Sequence, residues 1–425
     1  MLVTQRKILL TEGSSTSARQ TLYALGGRHT IDVLDPNPLC QCRFSRFVRR
    51  WIRCPSYSQE PKEYLKFVAQ QIRDEGYDVL LPTHEQVYLL ARVRDELREQ
   101  VGIALPEFDV INRVQGKADF CRLLGELGLP QPATRIISTR EELLATNELP
   151  CFVKLSHSTA GTGVFRVGGM NELQQLADEF DEAGQLNGEA ELLVQQPAKG
   201  VLSIFQTVFQ HGRLVGWHGG QTRRQGVGGA PIARVSAKHE GVVDDVERLG
   251  KHLNWHGAIF FEYFFDEETA EYQFLEANPR IGETLNATVC GVNLCEQLVR
   301  VAMDEEVEPL DAGKLGVRSH QGFMALMALG MNGGTRRQLI WEILRGKFRC
   351  EPYRNSHDEL TRLWSDWLSV IPAAAITMQL LASPALAKRI VAKTVENYSL
   401  PDEAARKIRD LPREDLVSVL SAMDC

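Results

Sequence analysis

Apolar and polar positions change rhythm along this chain. In the first hundred residues, short apolar runs alternate with segments of helical period. Lys7–Leu10, Ile31–Asp35 and Tyr77–Pro82 read as strands, and Ala18–Leu25, Phe67–Glu75 and Glu85–Gln100 as helices. That alternation implies a parallel sheet. The small-residue loop Thr11–Ser17 follows the first strand but lacks GxGxxG, so it reads as a structural or substrate-lining loop rather than a dinucleotide site. Arg43, Arg46, Arg49, Arg50 and Arg53 punctuate an aromatic segment. They read as a solvated helix face, with a surface for an anionic substrate or acidic partner as the sharper alternative.

Val114–Leu127 reads as a helix closed by Gly128, and it carries Lys117. The Pro-rich run Leu129–Thr134 marks a boundary. A smaller α/β segment follows: Arg135–Ile137, a helix capped near Thr139, and the strand Cys151–Leu155 bearing Lys154. Ser156–Val164 is then a loop of small residues, whose backbone N–H groups could approach a phosphate; a plain hairpin is the alternative. Leu192–Pro197 reads as a strand ending in a hinge. Ser203–Phe209 and Arg213–Trp217 are set to pair about Gln210-His211-Gly212, with Gly212 free to take positive φ. Gly219–Ala230 is Gly-rich and carries Arg223 and Arg224. It reads as a mobile loop closing on anionic ligands, or as a flexible surface connection.

Beyond residue 310 the chain reads as mostly helical. From Trp367 to Ala387 there is no charged residue, a length that reaches that of a spanning helix. Pro372, Pro384 and several polar residues interrupt it. A buried or interface helix starting near Pro372 is the better reading, and contact with a membrane surface or lipid-linked substrate the lesser one.

The chemistry concentrates upstream of that region. Ala258–Phe265 and Phe274–Asn278 read as two strands joined by the polar turn Asp266–Ala270. Alternation puts Glu276, Asn278 and Arg280 on one face, and an antiparallel partner would aim Glu262 at the same point. Converging carboxylate and amide oxygens suit Mg²⁺, and Arg280 beside them suits developing negative charge. The competing reading is an ordinary hairpin with a polar outer face. The phase of all four residues around Pro279 favours the site.

Composition sets the bounds. The chain has 425 residues, 44% hydrophobic and 24% charged, as expected of a soluble globular protein with several domains. Its net charge of -7 argues against nucleic acid as a whole-protein partner. Nine scattered cysteines without paired CxxC motifs, and an N-terminus without signal-peptide character, suggest reduced thiols and a cytoplasmic setting.

The ordered set of Lys117, Lys154 with its glycine loop, the 193–197 hinge, Glu262 and Glu276-x-Asn278-Pro279-Arg280 resembles the ATP-grasp superfamily. It is most similar to the branch of carbamoyl-phosphate synthetase and biotin carboxylase domains. The resemblance implies an α/β protein in four parts. These are a Rossmann-like preceding domain over 1–112, a linker helix and lid over 113–195, an ATP-grasp catalytic domain over 196–308 and a helical extension over 309–425. It also implies roles. Lys117 and Lys154 would contact ATP phosphates, and Gly161, Thr162 and Gly163 would cover them. Val194, Gln195 and Gln196 would meet the adenine through backbone groups. Glu262, Glu276 and Asn278 would hold Mg²⁺, with Mn²⁺ able to substitute. Arg280, with Lys154, would steady the transferred phosphoryl group, and Arg223 and Arg224 would grip the acceptor carboxylate. Gln196, and Val201-Leu202 after Gly200, depart from the family's usual acidic residues.

The implied activity is a carboxylate–amine ligase acting through an acyl phosphate on small-molecule substrates; the 367–387 stretch is a candidate for packing a homodimer. Bicarbonate activation, or a regulatory protein that binds ATP without turnover, are the alternatives.

Overall fold

The computed structural model describes residues 4–158, 161 and 163–421. The N-terminal sheet contains β1 (Lys7–Leu10), β2 (Thr30–Leu34), β3 (Val48–Ile52) and β4 (Val79–Leu81). Its order is β3-β2-β1-β4 and every pairing is parallel. The expected arginine-bearing helix face is instead a turn segment and edge strand β3. Arg49 and Arg50 there bond to buried Asp32 and to Glu75, so the charges are paired within the fold. Edge position explains the departure: pairing with β2 leaves Val48, Trp51 and Ile52 half-buried while the exposed Arg49 and Arg50 reach across to Asp32. Glu85–Gln100 is also not one helix but three short ones, Gln86–Leu90, Ala91–Val93 and Arg94–Arg98.

A second sheet, β5 (Thr134–Thr139), β6 (Cys151–Leu155), β7 (Val164–Val167) and β8 (Asn187–Gln195), has the antiparallel order β5-β8-β6-β7. It has its own core, including Val153, Leu173, Ala177 and Leu192. A reciprocal capping box, Thr139 with Glu142, opens the helix after β5 and is worth about 1 kcal/mol. Two helices, Phe108–Gln115 and Lys117–Leu127, lead into this unit. The helix expected over Val114–Leu127 begins inside the first of them and runs through Gly116. Gly116, in an extended conformation, separates them and places Lys117 at a helix start.

The central sheet is the largest. It holds β9 (Val201–Gln210), β10 (Arg213–Gln225), β11 (Pro231–Ser236), β12 (Gly257–Phe265), β13 (Tyr272–Asn278), β14 (Arg318–His320) and β15 (Ser356–Asp358), in the order β13-β12-β9-β10-β11-β14-β15. Phe205, Phe209, Phe261 and Phe274 are fully buried beneath it. Each such side chain contributes about 1.5–3 kcal/mol through burial. That core is continuous with Leu65, Val68 and Leu80 of the N-terminal unit, which fixes the two units against each other.

The region after 310 is more than a helical extension. It supplies β14 and β15 to the central sheet. Its last two helices carry Ile408, Leu416 and Leu420 into the shared core beside Leu65 and Val68. The uncharged stretch divides into a short 3-10 turn, Trp367–Val370, and the helix Ile371–Ala382. Among the described residues, no helix is long and apolar enough to cross a membrane. Trp341, Trp364 and Trp367 in this region are exposed.

Candidate active site

The hairpin of β12 and β13 sets the centre of the site. Glu262 lies directly opposite Glu276, and Phe260 opposite Asn278. Directly opposed residues of an antiparallel pair share a face, so the two carboxylates lie side by side. Burial and the facing Glu276 push the Glu262 pKa up to about 8. Burial also raises Glu276, but Lys117 and Lys154 outweigh it and hold that carboxyl below its usual range. Two like charges side by side share one proton until a cation arrives.

Lys117 supplies part of that countercharge. Its Nζ lies 3.2 Å from Glu276 and donates to the carbonyl and hydroxyl oxygens of Ser158 at 3.1 and 3.3 Å. Lys154 enters from the middle strand of the second sheet. Its ammonium donates to Gln195 Oε1 at 2.6 Å, and Gln195 in turn donates to Thr134. Burial, then Lys117, push the Lys154 pKa down to about 8 against the pull of Glu276.

These side chains meet around a cavity of about 580 Å³, within the usual range for small-molecule sites. Lys117, Lys154, Gly161, Gln195, Gln196, Glu262, Glu276, Asn278 and Arg280 all line it. Val194 does not: its side chain packs in the core of the second sheet. Gly163 also stands back, packed against Ser158 and Leu155. Thr162 lies outside the described residues. Gly161 has φ of +72°, and a Cβ there would sit 2.5 Å from the carbonyl oxygen of Gly228. Two glycine loops, one from each sheet, therefore close over the cavity backbone to backbone.

Arg223 and Arg224 require a correction. Neither lines the cavity; the expected loop is strand β10 as far as Gln225, and Gln225, Gly228, Gly229 and Ala230 line the cavity instead. Arg223 is exposed, and Arg224 bonds to buried Glu342 and to Tyr353. A partner more than a hundred residues away, in a region without recognisable chemistry, gave no sequence signal.

Other lining residues were equally hidden. Arg280 donates to Glu85 at 3.2 Å and to Asn278 at 3.3 Å, and Gln115 donates to Glu85 at 2.7 Å. Tyr398 and Leu400 also line the cavity, with the Tyr398 ring 4.4 Å from that of His84. Tyr57 donates to the backbone oxygens of Tyr398 and Ser399, holding that segment in place. Thr16 and Ser17, which open the helix Thr16–Leu25 at the end of the small-residue loop, line the cavity too. That loop is the one of these the sequence did mark, as a substrate-lining candidate.

Comparison with known proteins fits this geometry. Residues 223–310 match the family model described as the ATP-binding domain of the carbamoyl-phosphate synthase L chain. The chain is 28% identical over 217 residues to the carbamoyl phosphate synthase large chain of Deinococcus radiodurans, covering 48% of this chain and 21% of that one. The corresponding protein of Deinococcus deserti is 27% identical over 221 residues, with the same coverage. The match thus spans about a fifth of those relatives' length. Among solved structures, biotin carboxylase from Campylobacter jejuni superposes with a TM-score of 0.59 at 15% identity, covering 74% of each chain. N5-carboxyaminoimidazole synthetase from Staphylococcus aureus gives 0.58 at 13%, covering 82% and 86%. An L-amino acid ligase from Bacillus licheniformis gives 0.57 at 15%, covering 75% and 80%.

The chain has the ATP-grasp fold. Residues of its second and central sheets line the cavity from two sides. Within this ATP-grasp frame the C-terminal segment touches the lid as well: His157, in the lid loop, bonds to Asp402 at 2.7 Å.

Proposed function

We propose that this chain is an ATP-dependent ligase that activates a small-molecule carboxylate as an acyl phosphate and joins it to an amine. The observation that carries the reading is the convergence of Lys117, Lys154, Glu262, Glu276, Asn278 and Arg280 on one cavity. ATP fits the outer part, with its base beside Gln195 and Gln196 and its phosphates toward the two lysines. The roles of these residues are inferred from their placement.

A divalent cation fits the donor set. Two facing carboxylates, one held protonated for want of positive charge, are answered by a hard dication such as Mg²⁺, with Mn²⁺ able to substitute. Glu262, Glu276 and Asn278 would hold it, and when bound it would neutralise phosphate charge.

The remaining work falls to the chain. Lys117 and Lys154 bind and orient the phosphates, and Arg280, pinned by Glu85 and Asn278, faces the group in transfer. A substrate carboxylate oxygen attacks the γ-phosphorus, and its bond to the ADP oxygen breaks. The amine then attacks the acyl carbon, phosphate leaves and the amine loses a proton. The glycine loops exclude water that would hydrolyse the acyl phosphate.

Phosphate and ADP release screened over carboxylates and amines tests this. ADP formation requiring both substrates supports it. AMP as the product, or no turnover with any pair, would count against it. Bicarbonate belongs in the screen, because one solved neighbour, the 2-oxoglutarate carboxylase biotin carboxylase domain of Hydrogenobacter thermophilus, is described in complex with MgADP and bicarbonate.

A further inference from the structure

A second cluster of ligands lies at the opposite end of the central sheet. His211 occupies the tight turn between β9 and β10, His256 immediately precedes β12, and Asp304 follows the helix Leu294–Ala302. One ligand atom from each lies within 4.8 Å of the others. Along β12, six residues separate His256 from Glu262, about 20 Å of strand. The cluster is therefore separate from the ATP site.

His256 is the telling member. It is 3% exposed, yet neither ring nitrogen has a hydrogen-bond partner. Buried polar atoms are almost always satisfied, so an imidazole with both nitrogens free needs an explanation. Its position is tightly set. Trp255 before it is fully buried, and a Cβ on Gly257 after it would strike the Ala104 carbonyl oxygen at 2.3 Å. The His211 ring stacks on it with centroids 4.2 Å apart. Asp304 has both carboxylate oxygens near Arg98, at 3.0 and 3.2 Å.

We propose that His211, His256 and Asp304 form a structural binding site for a transition-metal dication of the zinc class. Two imidazoles and one carboxylate are a donor set suited to Zn²⁺, with a fourth position left for water. Tetrahedral bonds of about 2.0–2.2 Å put ligand atoms roughly 3.4 Å apart. The set must draw in from its present spacing, and exposed His211 and Asp304 are the members free to move. Arg98 orients the carboxylate from outside, as second-shell partners of metal ligands do, and spare lone pairs remain for the ion. The ion would add a further tie among the β9–β10 turn, the start of β12 and the loop after Leu294–Ala302, which already meet where Gly212 donates to the Trp255 carbonyl and Gln210 to the Glu305 carbonyl.

Metal analysis of tag-free, full-length protein tests this, after chelator treatment and dialysis against Zn²⁺ or Co²⁺. The expected result is one tightly held Zn²⁺, a visible d–d band of tetrahedral type with Co²⁺, and a Zn²⁺-dependent rise in unfolding temperature. His211→Asn, which tolerates the turn's positive φ, and Asp304→Asn should each weaken Zn²⁺ binding by about tenfold or more. Glu276→Gln should leave it unchanged. Folded wild type that retains no Zn²⁺ and gives no Co²⁺ band would overturn the proposal, as would equal retention by His211→Asn and Asp304→Asn.

Discussion

Glu262 and Glu276 face each other across one antiparallel pairing, and Lys117 reaches only Glu276, at 3.2 Å. The asymmetry separates the two carboxylates: one is held ionised, the other protonated near neutrality. The pair is thus short of one positive charge, which a bound dication would supply.

Replacing Glu276 by Gln removes the ionised member and frees Lys117. Turnover is expected to fall by about a hundredfold or more, the usual scale for losing a preorganised electrostatic contact. ADP release under saturating Mg²⁺ measures it. Undiminished turnover would remove the ligase reading.

Lys154 gives a pH signature. Its pKa lies near 8, and bound phosphate favours the protonated form. Metal-free nucleotide affinity should therefore be highest below about pH 8 and weaken as pH rises through it. The Lys154→Met variant should bind more weakly and lose this pH dependence, which calorimetry across the range would show.

Gly161→Ala tests the meeting of the glycine loops. A methyl group there collides with Gly228 and also sits at positive φ, a backbone cost of about 1–2 kcal/mol. Nucleotide affinity is expected to drop roughly tenfold, since 1.4 kcal/mol corresponds to that factor. The unfolding temperature should change little, because Gly161 itself is exposed and packs in no core cluster.

Arg224→Ala should damage stability rather than acceptor binding. It strands the buried carboxylate of Glu342, and breaking a pair of this half-buried kind should cost about 2–3 kcal/mol. Denaturant unfolding measures the loss. An unchanged KM for both substrates in the folded variant would agree with the side chain's turn away from the cavity.

The legibility of this protein followed the range of the interactions. The β12–β13 hairpin was readable because its register is local: alternation and a short turn decide which side chains share a face. The capping box at Thr139 and the left-handed Gly128 were readable for the same reason. Lys117 and Lys154 were picked out by their order along the chain relative to that hairpin.

Only the tertiary structure placed the rest. Glu85 meets Arg280 across 195 positions, and Tyr398 lines the cavity from a helix with no chemical pattern. Arg224 looked like an anion-binding residue until its distant partner Glu342 was in view. The sequence by itself determined the β12–β13 hairpin, its faces and the pair of acids set across it. Packing decided which charges are already paired inside the fold and which remain facing the cavity, because pairing depends on distances that no local pattern contains.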